Sequence, residues 1–154
     1  MVYNEIDAVK DLTASGLPFF RTGSREICDP APTDTDVDFV VLDLNRTSDF
    51  ERDGYPRTTK DQRSRYGGPP EFNTYRRGEV NLIVVHSWGS FDAWRAATAA
   101  AKQMNLLDKV ERIALFQGVL YGNWPDLRAR PQPLMQNVWV YASRVYEFKS
   151  VLKE

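Results

Sequence analysis

The chain has 154 residues, 42% of them hydrophobic and 27% charged, with a formal net charge of −1, which is the profile of one globular domain with a real core. Twenty Lys and Arg against 21 Asp and Glu leave no overall excess to hold a polyanion by bulk attraction. With Cys28 as the one cysteine, an intrachain disulfide and a multi-cysteine metal site are both excluded. The start, MVYNEIDAVKDL, lacks the basic end and apolar run of a secretion signal, and no stretch reaches the roughly 18 apolar residues of a membrane span. These features predict a cytoplasmic protein with no membrane partner.

Ile6, Val9 and Leu12 recur at three-residue spacing, predicting an amphipathic helix over about 4–15, closed by Gly16. A short extended run follows over Leu17–Arg21 and breaks at Thr22-Gly23-Ser24. Beyond the prolines at 30 and 32, Val37-Asp38-Phe39-Val40-Val41-Leu42 is the clearest strand. Residues 45–70 lack apolar periodicity and read as a long polar loop. Phe72–Tyr75 and Glu79–Val85 flank Arg76-Arg77-Gly78 as a β-hairpin, its second strand buried on both faces. Ser90 or Asp92 can cap a helix to about Met104, and Asp108-x-x-Glu111 opens another that Gly122 stops. Val138, Tyr141, Val145, Phe148 and Leu152 then fall on one face of an expected C-terminal helix. The whole predicts a single α+β domain over 1–154, with the sheet and site in about 4–85 and a helical region in about 90–154.

The small net charge conceals a segregation. Residues 29–53 hold eight acids and two bases, a local charge of −6, while 57–77 hold six bases and two acids, or +4. Arg57, Lys60, Arg63, Arg65 and Tyr66 can bind a nucleic acid or a triphosphate, or can simply balance the acids beside them. His86, the one histidine, follows a buried strand and is either an acid or base near a site or a hydrogen-bonded strand end. Trp88, Trp94, Trp124 and Trp139 read as packing. No Walker-type loop or Gly-x-Gly-x-x-Gly run occurs, which argues against P-loop and dinucleotide folds.

The chemically informative stretch runs from Gly23-Ser24-Arg25 to Thr35-Asp36-Val37-Asp38 and into the strand behind it. A Gly-Ser turn lets backbone N–H groups approach an anion, and the hydroxyl adds a donor. Asp36 and Asp38, at i and i+2, point to the same face of an extended chain. Two carboxylates held side by side repel, and a hard divalent cation is the cheapest resolution. A phosphate-cradling turn opposite a metal-binding pair is what phosphoryl or nucleotidyl transfer requires.

Gly23-Ser24-Arg25, the loop 26–34 and Thr35-Asp36-Val37-Asp38 together resemble the signature of the DNA polymerase beta-like nucleotidyltransferase superfamily, most closely its minimal nucleotidyltransferases. The resemblance covers about 4–85. Leu106-Leu107-Asp108 through Tyr121-Gly122-Asn123 is similar to the helical half of small phage-encoded nucleotidyltransferase-like proteins, which would place the protein in a host cytoplasm. The resemblance implies a nucleotidyltransferase fold in which Gly23, Ser24 and Arg25 bind the phosphates of an NTP such as ATP. It further implies that Asp36 and Asp38 hold Mg²⁺ or Mn²⁺, and that a third carboxylate stands on a neighbouring strand. That position falls on Asn81, a neutral group that cannot act as a base, with Glu79 as the substitute on the same face. The expected activity is transfer of an NMP to a hydroxyl of an acceptor, a protein or small molecule in preference to a large nucleic acid. The alternatives are a catalytically inactive relative that binds or inhibits a host protein, favoured by Asn81, and a nucleic-acid-binding module using 57–77.

Overall fold

A computed structural model describes residues 3–33, 35–58, 72–121, 132–135, 138–141 and 144–147. Helix α1 (Glu5–Ser15) starts at a capping box: Asn4 Oδ1 accepts from Asp7 N–H at 3.1 Å and Asp7 Oδ2 from Asn4 N–H at 3.0 Å. It ends at Gly16, whose φ of 74° is the left-handed conformation of a helix stop. Strand β1 (Phe19–Thr22) leads into a single helical turn, α2 (Ser24–Ile27), where the sequence suggested only a loop. Strand β2 (Val37–Leu42) follows, then the hairpin of β3 (Phe72–Arg77) and β4 (Val80–Val85), turning at Gly78-Glu79, one residue beyond the expected Arg76-Arg77-Gly78 centre.

These four strands form one mixed sheet in the order β1-β2-β4-β3, with β2 and β4 parallel and the outer pairs antiparallel. Because the two central strands are covered on both sides, they read as near-continuous apolar runs. Ala8 and Leu12 of α1 pack on Val37, Phe39, Val41, Val80, Leu82 and Val84. Phe50 and Tyr55 join that layer, so the segment after β2 is anchored by two buried aromatics despite its polar composition.

The other face carries α3 (Trp88–Gln103) and α4 (Lys109–Tyr121). Trp94, Ala97, Ala101, Leu115 and Phe116 cover Val40, Leu42, Ile83 and Val85 there. The cap of α3 is Ser87, whose Oγ accepts from Ser90 N–H at 3.1 Å, earlier than the expected Ser90 or Asp92. Asp108 opens α4 as expected, its Oδ1 accepting from Glu111 N–H at 3.1 Å. The result is an α+β fold with an N-terminal helix, a small mixed sheet and a helical half, consistent with a small nucleotidyltransferase-like arrangement.

The expected C-terminal helix is corrected. Strands β5 (Gln132–Met135), β6 (Val138–Tyr141) and β7 (Arg144–Glu147) form a separate antiparallel sheet, so the described residues beyond 131 are strand and not helix. Val138-Trp139-Val140-Tyr141 and Val145-Tyr146 are consecutive β-branched and aromatic residues, which favour a pleated surface. Their spacing of three and four arose because apolar residues are dense there. Phe148, Leu152, Trp124 and residues 59–71, including Lys60, Arg63, Arg65 and Tyr66, lie outside the described residues. No helix among the described residues is long and apolar enough to cross a membrane.

Candidate active site

Sheet register alone assembles a polar row on the α3 and α4 side. Thr22 of β1 pairs with Asp38 of β2, Asp38 with Asn81 of β4, and Asn81 with Arg76 of β3. Partners directly across a sheet share a face, so four strands bring hydroxyl, carboxylate, carboxamide and guanidinium into one line. Asp36, two residues before Asp38, extends the row beyond the start of β2.

The contacts in this row are specific. Asn81 Nδ2 donates to Asp38 Oδ1 at 2.9 Å and to Asp36 Oδ2 at 3.4 Å. Arg76 grips Asp36 with both terminal nitrogens, at 2.8 and 2.7 Å. Thr22 Oγ1 is hydrogen-bonded to Thr98 Oγ1 at 2.6 Å, which ties the row to α3. Asn81 Oδ1 is buried and has no hydrogen-bond partner.

Burial pushes the Asp38 carboxyl up to about 6, and the neighbouring Asp36 charge adds to this; the Asn81 hydrogen bond, Arg76 and Lys109 work in the opposite direction. Gly23, with a φ of 78°, lies directly against Asp38. Ser24 Oγ donates to Thr35 Oγ1 at 3.4 Å, linking the Gly-Ser turn to the residue before Asp36.

These groups border a cleft of about 740 Å³. Gly23, Ser24, Asp36, Asp38 and Asn81 line one side, Ile83, Trp94 and Phe116 the floor, and Lys109 and Arg112 of α4 also line it. A pocket of this size, lined by apolar and polar groups in similar shares, is of ligand-binding dimensions. Arg112 is held by the carbonyls of Leu106 and Leu107 at 2.9 and 2.6 Å and by Cys28 Sγ at 3.3 Å. Cys28, half-buried, is therefore part of the cleft wall.

Two expected residues stand elsewhere. Arg25 Nη2 donates to the Thr33 carbonyl at 3.0 Å and lies 3.6 Å from Glu79 Oε2. Glu79 thus answers Arg25 in the hairpin turn, and Asn81 is the group that reaches both aspartates. Among the described residues no three His, Cys, Asp or Glu side chains converge as a metal centre. His86 is the hydrogen-bonded strand end: its Nδ1 pairs with the Asp43 carbonyl at 2.9 Å and its Nε2 with Asn73 Nδ2 at 3.1 Å. A carbonyl can only accept, so Nδ1 donates to Asp43, and both ring nitrogens are engaged in holding the strand end.

The described bases of the basic segment, Arg57, Arg76 and Arg77, have separate tasks. Arg57 donates to Asn73 Oδ1 at 2.7 Å, Arg76 holds Asp36, and Arg77 lies 4.1 Å over the Tyr3 ring on the α1 side of the sheet. Sequence reasoning missed Thr22, Lys109, Arg112 and the pairing of Arg76. The three-residue spacing of Lys109 and Arg112 is a signal for one helix face, but nothing local says that this face meets Asp38.

Comparison of the chain with family models, with curated proteins and with solved structures gives no match.

Proposed function

We propose that this cleft is a nucleotidyltransferase-type site that takes an NTP together with Mg²⁺ or Mn²⁺ and moves the NMP to a hydroxyl of an acceptor. The observation that carries the reading is the convergence of Gly23, Ser24, Asp36 and Asp38 on one wall of a single cleft. The donor set fits a hard cation. Asp36 and Asp38 offer carboxylate oxygens, and Asn81 offers a buried carboxamide whose oxygen lacks a partner and whose half-turn exchanges N for O.

When bound, the cation would neutralise phosphate charge and activate the phosphoryl group. The chain's own residues supply the rest. The Ser24 hydroxyl and the backbone of the Gly23-Ser24 turn can donate to phosphate oxygens. Lys109, which already exerts its positive charge on Asp38, adds attraction for a polyanion in the same cleft. Ile83, Trp94 and Phe116 supply an apolar floor against which a base or an acceptor can pack. The acceptor is a protein or small molecule in preference to a large nucleic acid, since the chain carries no net positive charge. Cytoplasmic residence, in a host if the protein is phage-encoded, accords with these substrates.

A second reading is a catalytically inactive nucleotidyltransferase-fold protein that binds or inhibits a host protein. It is favoured by Arg76 and Asn81 satisfying the two aspartates and by Glu79 standing with Arg25. Labelled NTPs with Mg²⁺ or Mn²⁺, offered with protein, tRNA and small-molecule acceptors, separate the two. Pyrophosphate release that disappears in Asp36→Asn and Asp38→Asn supports transfer. Metal-dependent NTP binding by calorimetry with no pyrophosphate from any acceptor supports the second reading, and absence of both rejects the site.

A further inference from the structure

We infer that Arg76 is a built-in, displaceable counter-ion of the Asp36–Asp38 pair, holding Asp36 until a divalent cation takes its oxygens and a ligand phosphate takes the guanidinium. The inference rests on the cation-binding reading above. Register places Arg76 across Asn81 from Asp38, so its side chain emerges on the site face and reaches Asp36. Both terminal nitrogens bond both carboxylate oxygens, at 2.8 and 2.7 Å. A divalent cation and Arg76 therefore compete for the same two atoms.

The pair is made to be given up. Its side chains are 43% and 38% exposed, and ion pairs in such wet surroundings contribute little net stability although the fork geometry is selective. A guanidinium fits a phosphate as well as it fits a carboxylate. A cation arriving at Asp36, which lines the cleft, with a phosphorylated ligand thus offers Arg76 a new partner beside Asp36 as it removes the old one. Without a cation, the same residue offsets the repulsion between two aspartates two positions apart.

Arg77 provides the control, because it carries the same charge at the next position yet faces Tyr3 across the sheet. The experiment is a Mn²⁺ titration of the whole chain followed by electron paramagnetic resonance, with and without a non-hydrolysable NTP analogue. Thermal melts confirm that each variant is folded. Arg76→Ala should bind Mn²⁺ about three- to tenfold more tightly than the parent when no nucleotide is present. Arg76→Lys, which keeps the charge but not the fork, should fall between them, and Arg77→Ala should stay within about twofold of the parent. The analogue should tighten Mn²⁺ binding more in the parent than in Arg76→Ala. Mn²⁺ binding that is unchanged or weaker in Arg76→Ala, or equally improved in Arg77→Ala, overturns the inference alone. Failure of every form to bind Mn²⁺ overturns the cation reading and the inference with it.

Discussion

Asp38 occupies the space that a side chain at position 23 would need: a Cβ built on Gly23 would lie 2.2 Å from Asp38 Oδ2 and 3.0 Å from its Cγ. The backbone there, with φ 78° and ψ −173°, is also a conformation that only glycine adopts readily. Gly23→Ala should therefore destabilise the fold by about 2 kcal/mol or more and push the Asp38 carboxylate out of the row. Because the clash is with that one side chain, the same substitution should cost less in an Asp38→Ala background. Urea denaturation of the double-mutant cycle measures this, and strictly additive costs would show that Gly23 is required for its backbone alone.

The elevated Asp38 carboxyl leads to a pH signature of defined sign. Raised from 3.8 to about 6, the group binds its proton more tightly in the folded chain than in the unfolded one. Its contribution to stability is thus fully present below the ordinary carboxylate range and is lost as pH rises through about 6. Asp38→Asn, which keeps the shape without the charge, should melt at a higher temperature than the parent at pH 8 and close to it at pH 4. Mn²⁺ affinity of the parent should fall as pH drops through about 6, since cation and proton compete for one carboxylate. Melts and titrations at pH 5, 6, 7 and 8 test both, and equal melting temperatures for the two proteins at pH 8 would contradict the assigned burial cost.

How far this site could be read before folding depends on the range of each contact. Asp36 and Asp38 share a face because side chains alternate along an extended chain, and Asn81 falls opposite them once β2 and β4 run parallel in register. The shared face is a period-two fact that spacing carries, whereas the place of Asn81 is implied by the family resemblance and shown by the register. Arg76 and Asp36 are forty residues apart, and their pairing follows from which strand lies at the sheet edge. Lys109 and Arg112 enter the cleft through the way α4 packs, a tertiary property without local signature. The β5 to β7 region misleads in the opposite direction, as dense Val, Trp and Tyr residues satisfy a helical spacing while their β preference decides the outcome.

An asparagine after α3 clamps the start of the loop that follows α2. Asn105, at φ 47°, follows α3; its Oδ1 accepts from Asp29 N–H at 2.8 Å and its Nδ2 donates to the Asp29 carbonyl at 3.0 Å. This two-point clamp secures the segment that brings Cys28, Pro30 and Pro32 to the cleft. Asn105→Ala loses both bonds and puts alanine, which tolerates the left-handed region less well than asparagine, at that backbone, at a combined cost of about 2–3 kcal/mol. Asn105→Gly keeps the conformation and loses only the bonds, so it should cost about half as much. Chemical denaturation ranks the two, and an alanine variant as stable as the glycine variant would rule out the conformational part of the account.

Restoring a carboxylate at position 81 tests what the neutral amide does. In the parent, Asn81 Nδ2 donates to both aspartates, so Asn81→Asp exchanges a donor for a third negative charge in the same row. Without a divalent cation, three carboxylates then repel and the variant should melt several degrees below the parent. With Mn²⁺ the balance reverses, because a third anionic oxygen ligand strengthens a hard-cation site. The expected result is Mn²⁺ affinity at least tenfold above the parent, and a Mn²⁺-dependent rise in melting temperature larger than the parent's. If Asn81→Asp also gains pyrophosphate release that the parent lacks, the parent is a binder whose chemistry stops at this residue. Equal activity in the two would mean that Asn81 serves as a neutral ligand, and a variant that Mn²⁺ leaves unstabilised would show that the row is not arranged to converge on a cation.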